Sequence, residues 1–130
     1  MSVEMLDRKT DQDKIYPEIE YHGDNEHDVY KRLWPDGEHE RLLLEPSLKL
    51  RDHSPTGFSW SYNGSGPAQL ALALLLEATS DPDKACNYYQ EFKWQIVAGW
   101  GKRWVIFRSD ILNWLKLIEA SDLAERQNKN

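Results

Sequence analysis

Cysteine is almost absent: Cys86 is the single one in 130 residues. One thiol closes no intrachain disulfide, which suits a reducing compartment. Cys86 lies among helix-forming residues with no neighbouring base, so it reads as a small apolar filler and not as a nucleophile. Long apolar runs are missing too. The longest, Leu70 to Leu76, is far below the roughly 20 residues that cross a bilayer. The opening Met1 to Asp7 has neither a basic start nor an apolar stretch, so no export signal and a cytoplasmic location are expected. A basic excess is also lacking. Net charge is −6, and it is unevenly placed: residues 1–56 hold 8 Lys/Arg against 14 Asp/Glu, whereas residues 57–130 hold 8 of each. That balance excludes general nucleic-acid binding, which needs a basic face. It permits a partner with a basic surface.

Catalytic and metal-binding spacings are likewise missing. Ser59, Ser61 and Ser65 have no histidine placed beside them as a base. Acidic pairs such as Asp24 with Glu26 and Glu38 with Glu40 share a face if extended, but in so acidic a segment they arise by chance. The four histidines, His22, His27, His39 and His53, show no zinc-ligand spacing and no accompanying cysteine pair. They are expected to be solvated or hydrogen-bonded, with no metal site, no catalytic residue and no cofactor.

Aromatic residues, by contrast, are abundant: six Trp, six Tyr and three Phe. Such rings fill cores and also build interfaces. Trp94, Trp100, Trp104 and Trp114 are expected in the core or at an interface, and an exposed group of them would permit a homodimer. Trp100-Gly101-Lys102-Arg103-Trp104 mixes basic and aromatic residues, but in an acidic protein it reads as a turn with exposed charges between core rings.

Residues 1–16 are polar and aperiodic and are expected to form a mobile tail. A single domain is expected over residues 17–125, with a frayed end over residues 126–130. Glu18 to His22 alternates as a half-buried strand does, and Gly23-Asp24-Asn25 has turn chemistry. Val29 to Leu33 and Arg41 to Leu44 predict a hairpin around Trp34-Pro35-Asp36-Gly37, and Leu48 to Leu50 is a weaker strand candidate. Phe58-Ser59-Trp60-Ser61-Tyr62 alternates cleanly and predicts a further strand.

From Pro67 to Ala78 the period is helical and almost no polar face remains, which predicts a buried central helix capped by Ser65 or Gly66. Ser80 or Asp81 caps a second helix opened by Pro82 and running to about Ala98, with Ala85, Tyr88 or Tyr89, Phe92, Ile96 and Val97 as its apolar stripe. Arg103 to Phe107 predicts a strand. A last helix capped by Ser109 follows, from Asp110 to about Glu125. The class is therefore α+β, a small and mostly antiparallel sheet packed against about three helices.

The turn Gly64-Ser65-Gly66-Pro67 is the best ligand candidate. Glycines before a helix leave amide hydrogens aimed at one spot, and the helix dipole favours an anion there. Ser65 offers a hydroxyl, Gln69 lies one turn further on, and Trp60 or Tyr62 can form an aromatic wall. The turn lacks the terminal Lys-Ser/Thr of a P-loop and the dinucleotide fingerprint. A tight strand-to-helix connection, with Ser65 merely capping, is the simpler account of it.

The stretch from Phe58 to Leu75, reading FSWSYNGSGPAQLALALL, resembles the signature of an uncharacterised family, domain of unknown function 6166. Tyr21-His22-Gly23 is similar to that family's Tyr-x-Gly element, and Trp104-Val105-Ile106-Phe107 with Ile111 to Leu115 resembles its closing strand and helix. The resemblance covers about residues 19–118. Ser61 and Asn63 stand where the family often has glycine, and Asn63 is expected to keep a left-handed turn. The family lends no activity. Its occurrence in bacteria, phages and plasmids implies an accessory or mobile-element gene. The resulting expectation is a non-catalytic protein that binds and modulates a host protein or ribonucleoprotein complex, for example as a host-defence inhibitor. Asp24, Glu26, Asp28, Asp36, Glu38 and Glu40 would face the basic surface of that partner. The alternative is a small-molecule binder that takes a nucleotide or other anion through Trp60, Tyr62, Gly64, Ser65, Gly66 and Gln69.

Overall fold

The first strand of the described residues begins at Ile19, and Glu20, Tyr21 and Gly23 in it are buried. The computed structural model describes residues 18–25 and 27–128; the expected N-terminal tail lies outside the described residues. The elements follow in the order β1 (Ile19–Asp24), β2 (Asp28–Leu33), β3 (Glu40–Arg41), α1 (Glu45–Leu50), α2 (Ser65–Thr79), α3 (Pro82–Gln95), a 3-10 turn (Val97–Gly99), β4 (Trp104–Phe107) and α4 (Arg108–Asn128). The class is α+β, as the patterning predicts. No helix among the described residues is long and apolar enough to cross a membrane.

The four strands form one antiparallel sheet in the order β3-β2-β1-β4. Opposed residues share a face, so the register sorts the side chains. Tyr21, Lys31 and Ile106 lie in one row, flanked by Gly23, Val29 and Trp104; this face meets the helices. His22, Tyr30, Arg41 and Val105 lie in the adjacent row on the opposite face, flanked by Glu20, Arg32 and Phe107. Lys31 reaches from the inner face to Glu77 of α2, with Nζ at 3.0 Å from Oε1.

Helix α2 is the centre of the core. Residues Gly66 to Leu75 are all buried, and α1, α3 and α4 pack around it. Leu70, Leu72, Leu74 and Leu75 are fully enclosed, each contributing about 2 kcal/mol by burial. The helix ends at Ser80, which adopts a left-handed conformation with φ 56°. Asp81 then caps α3, its Oδ1 accepting from Lys84 N at 3.1 Å, and Pro82 takes the first turn as expected. Ala85, Tyr89, Phe92 and Val97 form the buried stripe.

Several expected boundaries move. Gly23 and Asp24 belong to β1, and the turn falls at Asn25, with φ 53°. The return strand pairs only over Glu40–Arg41, although Leu42 N still donates to Val29 O at 2.9 Å. Leu48 to Leu50 is helical and not extended, because Pro46 sits in the first turn of α1 and Ser47 Oγ donates to Leu44 O. The expected strand over Phe58 to Tyr62 pairs with no strand among the described residues; its Ser61 N donates to Val97 O of the 3-10 turn at 3.3 Å. Phe58 and Trp60 are buried, but Ser61 is left-handed at φ 80°, which breaks the extended run and leaves Tyr62 exposed. The left-handed residue is thus Ser61, with its Oγ donating to Trp100 O at 2.5 Å, and not Asn63. The N-cap of α2 is Gly64, not Ser65 or Gly66. Helix α4 begins at Arg108; Asp110 accepts from Phe107 N, while Ser109 Oγ donates to Glu18, so Ser109 does not cap it. It continues to Asn128, past the expected end at Glu125.

Candidate functional site

Helices cover the inner face of the sheet, while the outer face carries the chemistry that the fold brings together. Glu20 and His22 stand two residues apart on β1, so both project outward. Arg32 on β2 clamps Glu20, its Nε donating to Oε1 at 2.7 Å, and its Nη1 donates to Pro35 O at 2.8 Å. Glu20 is therefore a buried carboxylate with a charge-assisted partner. His22 stacks on Tyr30, with centroids 5.4 Å apart and planes at 25°, and meets His39 edge-on at 4.9 Å. Burial and the neighbouring His39 hold the His22 imidazole below the ordinary histidine range, and Glu20 opposes them. The guanidiniums of Arg41 and Arg32 lie over Tyr30 and Trp34 at 5.4 and 5.3 Å. Trp34 meets Phe107 edge-on at 5.2 Å. Val105, 57 % exposed, is the most open apolar side chain of the four strands.

Glu20, His22 and His39 offer one ligand atom each within 4.8 Å of one another. The histidine spacing conceals this group. His39 lies on the β2–β3 connection, and only the antiparallel fold-back sets it beside β1. The one sequence signal is that Glu20 and His22 are two apart on a predicted strand.

The acidic residues expected to face a partner are dispersed around this sheet. Asp24 pairs with Arg103 and Asp28 with Arg41, each at 3.3 Å. Asp36, Glu38 and Glu40 are exposed on and beside the β2–β3 connection, and Glu26 lies outside the described residues.

Turn residues 64–67 behave as a packing joint. A Cβ on Gly66 would strike Ser59 Oγ and lie 3.0 Å from Ser59 Cβ, and a Cβ on Gly64 would meet Tyr62 Cε2 at 2.6 Å. Ser59 Oγ and Tyr62 Oη are hydrogen-bonded at 2.9 Å over this turn. The structure so brings Tyr62, Gly64 and Gly66 together, with Ser65 exposed beside them. Trp60 is in the core, its Nε1 donating to Lys102 O. Gln69 is fully buried and satisfied: Oε1 accepts from His53 N and Ser54 N, and Nε2 donates to Ser47 Oγ and Arg51 O. Gly66→Ala is accordingly expected to cost about 2 kcal/mol by overpacking, and roughly half of that when Ser59→Ala removes the struck hydroxyl. A double-mutant cycle by urea denaturation measures it; an equal cost in both backgrounds would refute the joint.

A second joint is built from tryptophans. Trp104 stacks on Trp100, with centroids 4.1 Å apart and planes at 17°, and meets Trp60 edge-on at 5.5 Å. A Cβ on Gly23 would fall 2.7 Å from Trp104 Cζ2 and closer still to Nε1 and Cε2, so the indole lies directly on the strand backbone. Lys102 and Arg103 between these rings are exposed, and Trp94 is exposed on α3. Tyr21-x-Gly23, the signature from Phe58 to Leu75 and the Trp104 strand are thus one packed unit in space.

Neither a search of curated proteins nor one of solved structures finds a match. The comparison with known families matches residues 21–117, which contain all three of these segments, and the chain belongs to the family of unknown function DUF6166.

Proposed function

We propose that this chain is a non-catalytic binding protein that docks a macromolecular partner on the open face of its sheet. The observation that supports this reading is the outer face itself: Tyr30, Trp34, Val105 and Phe107 are displayed there among Arg32, Arg41 and acidic neighbours, with no helix of the described residues laid over the row. Aromatic and arginine side chains are the types that concentrate binding energy. Asp36 and Glu38, exposed on the β2–β3 connection at the rim, supply negative charge for a basic partner surface. The family resemblance adds the expectation that the partner is a cytoplasmic host complex, such as a defence complex, met by a phage- or mobile-element-encoded accessory protein.

Val105→Glu places a charge on this face, at an exposed position of the edge strand β4. A photo-crosslinking residue at Arg41, exposed in the same outer row as Val105, is expected to capture one stoichiometric macromolecule in host cells. The same residue at Leu123 on α4 is expected not to capture it. Val105→Glu should abolish that capture, and charge reversal of Asp36 and Glu38 should weaken it in a salt-dependent manner. Capture that ignores Val105→Glu would refute the docking face. A crosslinked second copy of the chain would instead establish a homodimer.

A further inference from the structure

We propose that Glu20, His22 and His39 form a binding site for a divalent late transition-metal ion, with Zn2+ as the probe. The inference concerns the isolated chain and does not depend on the docking reading. Two imidazoles and one carboxylate are borderline donors that suit Zn2+, Co2+, Ni2+ or Cu2+ and not Mg2+ or Ca2+. Such an ion takes imidazole nitrogen at about 2.0–2.1 Å and carboxylate oxygen at about 2.0–2.2 Å. A donor set within 4.8 Å closes on it by movements of roughly 1 Å. The set is rigid on one side and adjustable on the other. Glu20 and His22 are fixed on the central strand, the first clamped by Arg32 and the second stacked on Tyr30. His39, exposed on the β2–β3 connection, is the ligand that moves.

Arg32 also orients the carboxylate. It holds Oε1 at 2.7 Å, and the same oxygen lies 3.8 Å from His22 Nδ1, so the edge of the carboxylate that faces the imidazole is fixed in place. Outer-sphere partners of this kind fix the direction of a ligand. Three protein ligands leave at least one coordination position facing solvent.

The test uses full-length chain without a histidine tag, stripped with chelator. Titration calorimetry with Zn2+ is expected to show one equivalent bound. Co2+ is expected to give visible bands of a four- or five-coordinate site, and Zn2+ should quench them. His39→Ala, His22→Ala and Glu20→Gln should each weaken binding at least about tenfold. His27→Ala, whose ring meets Phe58 O instead, should bind as the unmodified chain does. Melting curves in chelator establish that each variant is folded. His39 is exposed, so its variant decides the matter if the strand variants unfold. No binding by the unmodified chain, binding undiminished in His39→Ala, or binding lost in His27→Ala overturns the proposal.

Discussion

Gly23→Ala is expected to destabilise the chain by about 3 kcal/mol and to lower its melting temperature by roughly 10 °C. One methyl group has so large an effect because of where it lands. It would overlap the indole of Trp104, a rigid bicycle that is itself enclosed between Trp100 and Trp60. A flexible side chain could swing away; this ring cannot without unstacking from Trp100. Trp60 Nε1 donates to Lys102 O and Ser61 Oγ donates to Trp100 O, so ring displacement also strains the segment 59–62 that leads into α2. The double-mutant cycle with Trp104→Leu separates this cause from a general weakening of the strand. In that background the cost of Gly23→Ala should fall below about 1 kcal/mol. The same cost in both backgrounds would show that the indole is not the obstacle.

The legibility of the sequence divides along a physical line. Helices α2 and α3 were readable because their signals are local: an unbroken apolar period, a proline in the first turn and Asp81 at the cap. β1, β2 and β4 were readable for the same reason. What failed depended on distant partners. Phe58 to Tyr62 has strand alternation, and the burial of Phe58 and Trp60 follows it, but no strand among the described residues pairs there. Ser61 instead takes a left-handed conformation tied to Trp100. Gly23 looked like turn chemistry because its reason, the Trp104 ring, lies 81 positions further on. The Glu20–His22–His39 group was hidden similarly, since the loop carrying His39 must fold back before the three donors meet. In the ligand reading of the Gly64-to-Pro67 turn, the spacing of Gln69 was right, but no local pattern tells which groups a buried amide will satisfy.

Gln69→Leu tests that distinction, and its expected cost is about 4 kcal/mol. This glutamine is 0 % exposed on a helix otherwise packed with alanine and leucine. Its oxygen accepts from the amides of His53 and Ser54 at 2.8 and 3.0 Å, and its nitrogen donates to Ser47 Oγ and Arg51 O at 2.8 and 3.1 Å. Leucine fills much of the volume but leaves His53 N, Ser54 N and Arg51 O without the glutamine, while Ser47 Oγ keeps its bond to Leu44 O. Each buried orphan costs about 1–3 kcal/mol, less where local opening lets water in. The sum is a large part of the roughly 5–15 kcal/mol that stabilises a domain. The damage should begin locally. Residues 51–57 have no regular structure, and the other side-chain tie from His53 is to Tyr89 Oη of α3 at 2.6 Å. Hydrogen exchange should therefore show the His53 and Ser54 amides losing protection well before those of α2. Ser47→Ala removes one bond of the four and should cost only about 1 kcal/mol. If Gln69 instead serves a ligand at the turn, Gln69→Leu would leave the melting temperature and these two amides unchanged. The structure requires the opposite: here the polar residue in the signature is the tie that fastens α1 and the 51–54 segment to the central helix.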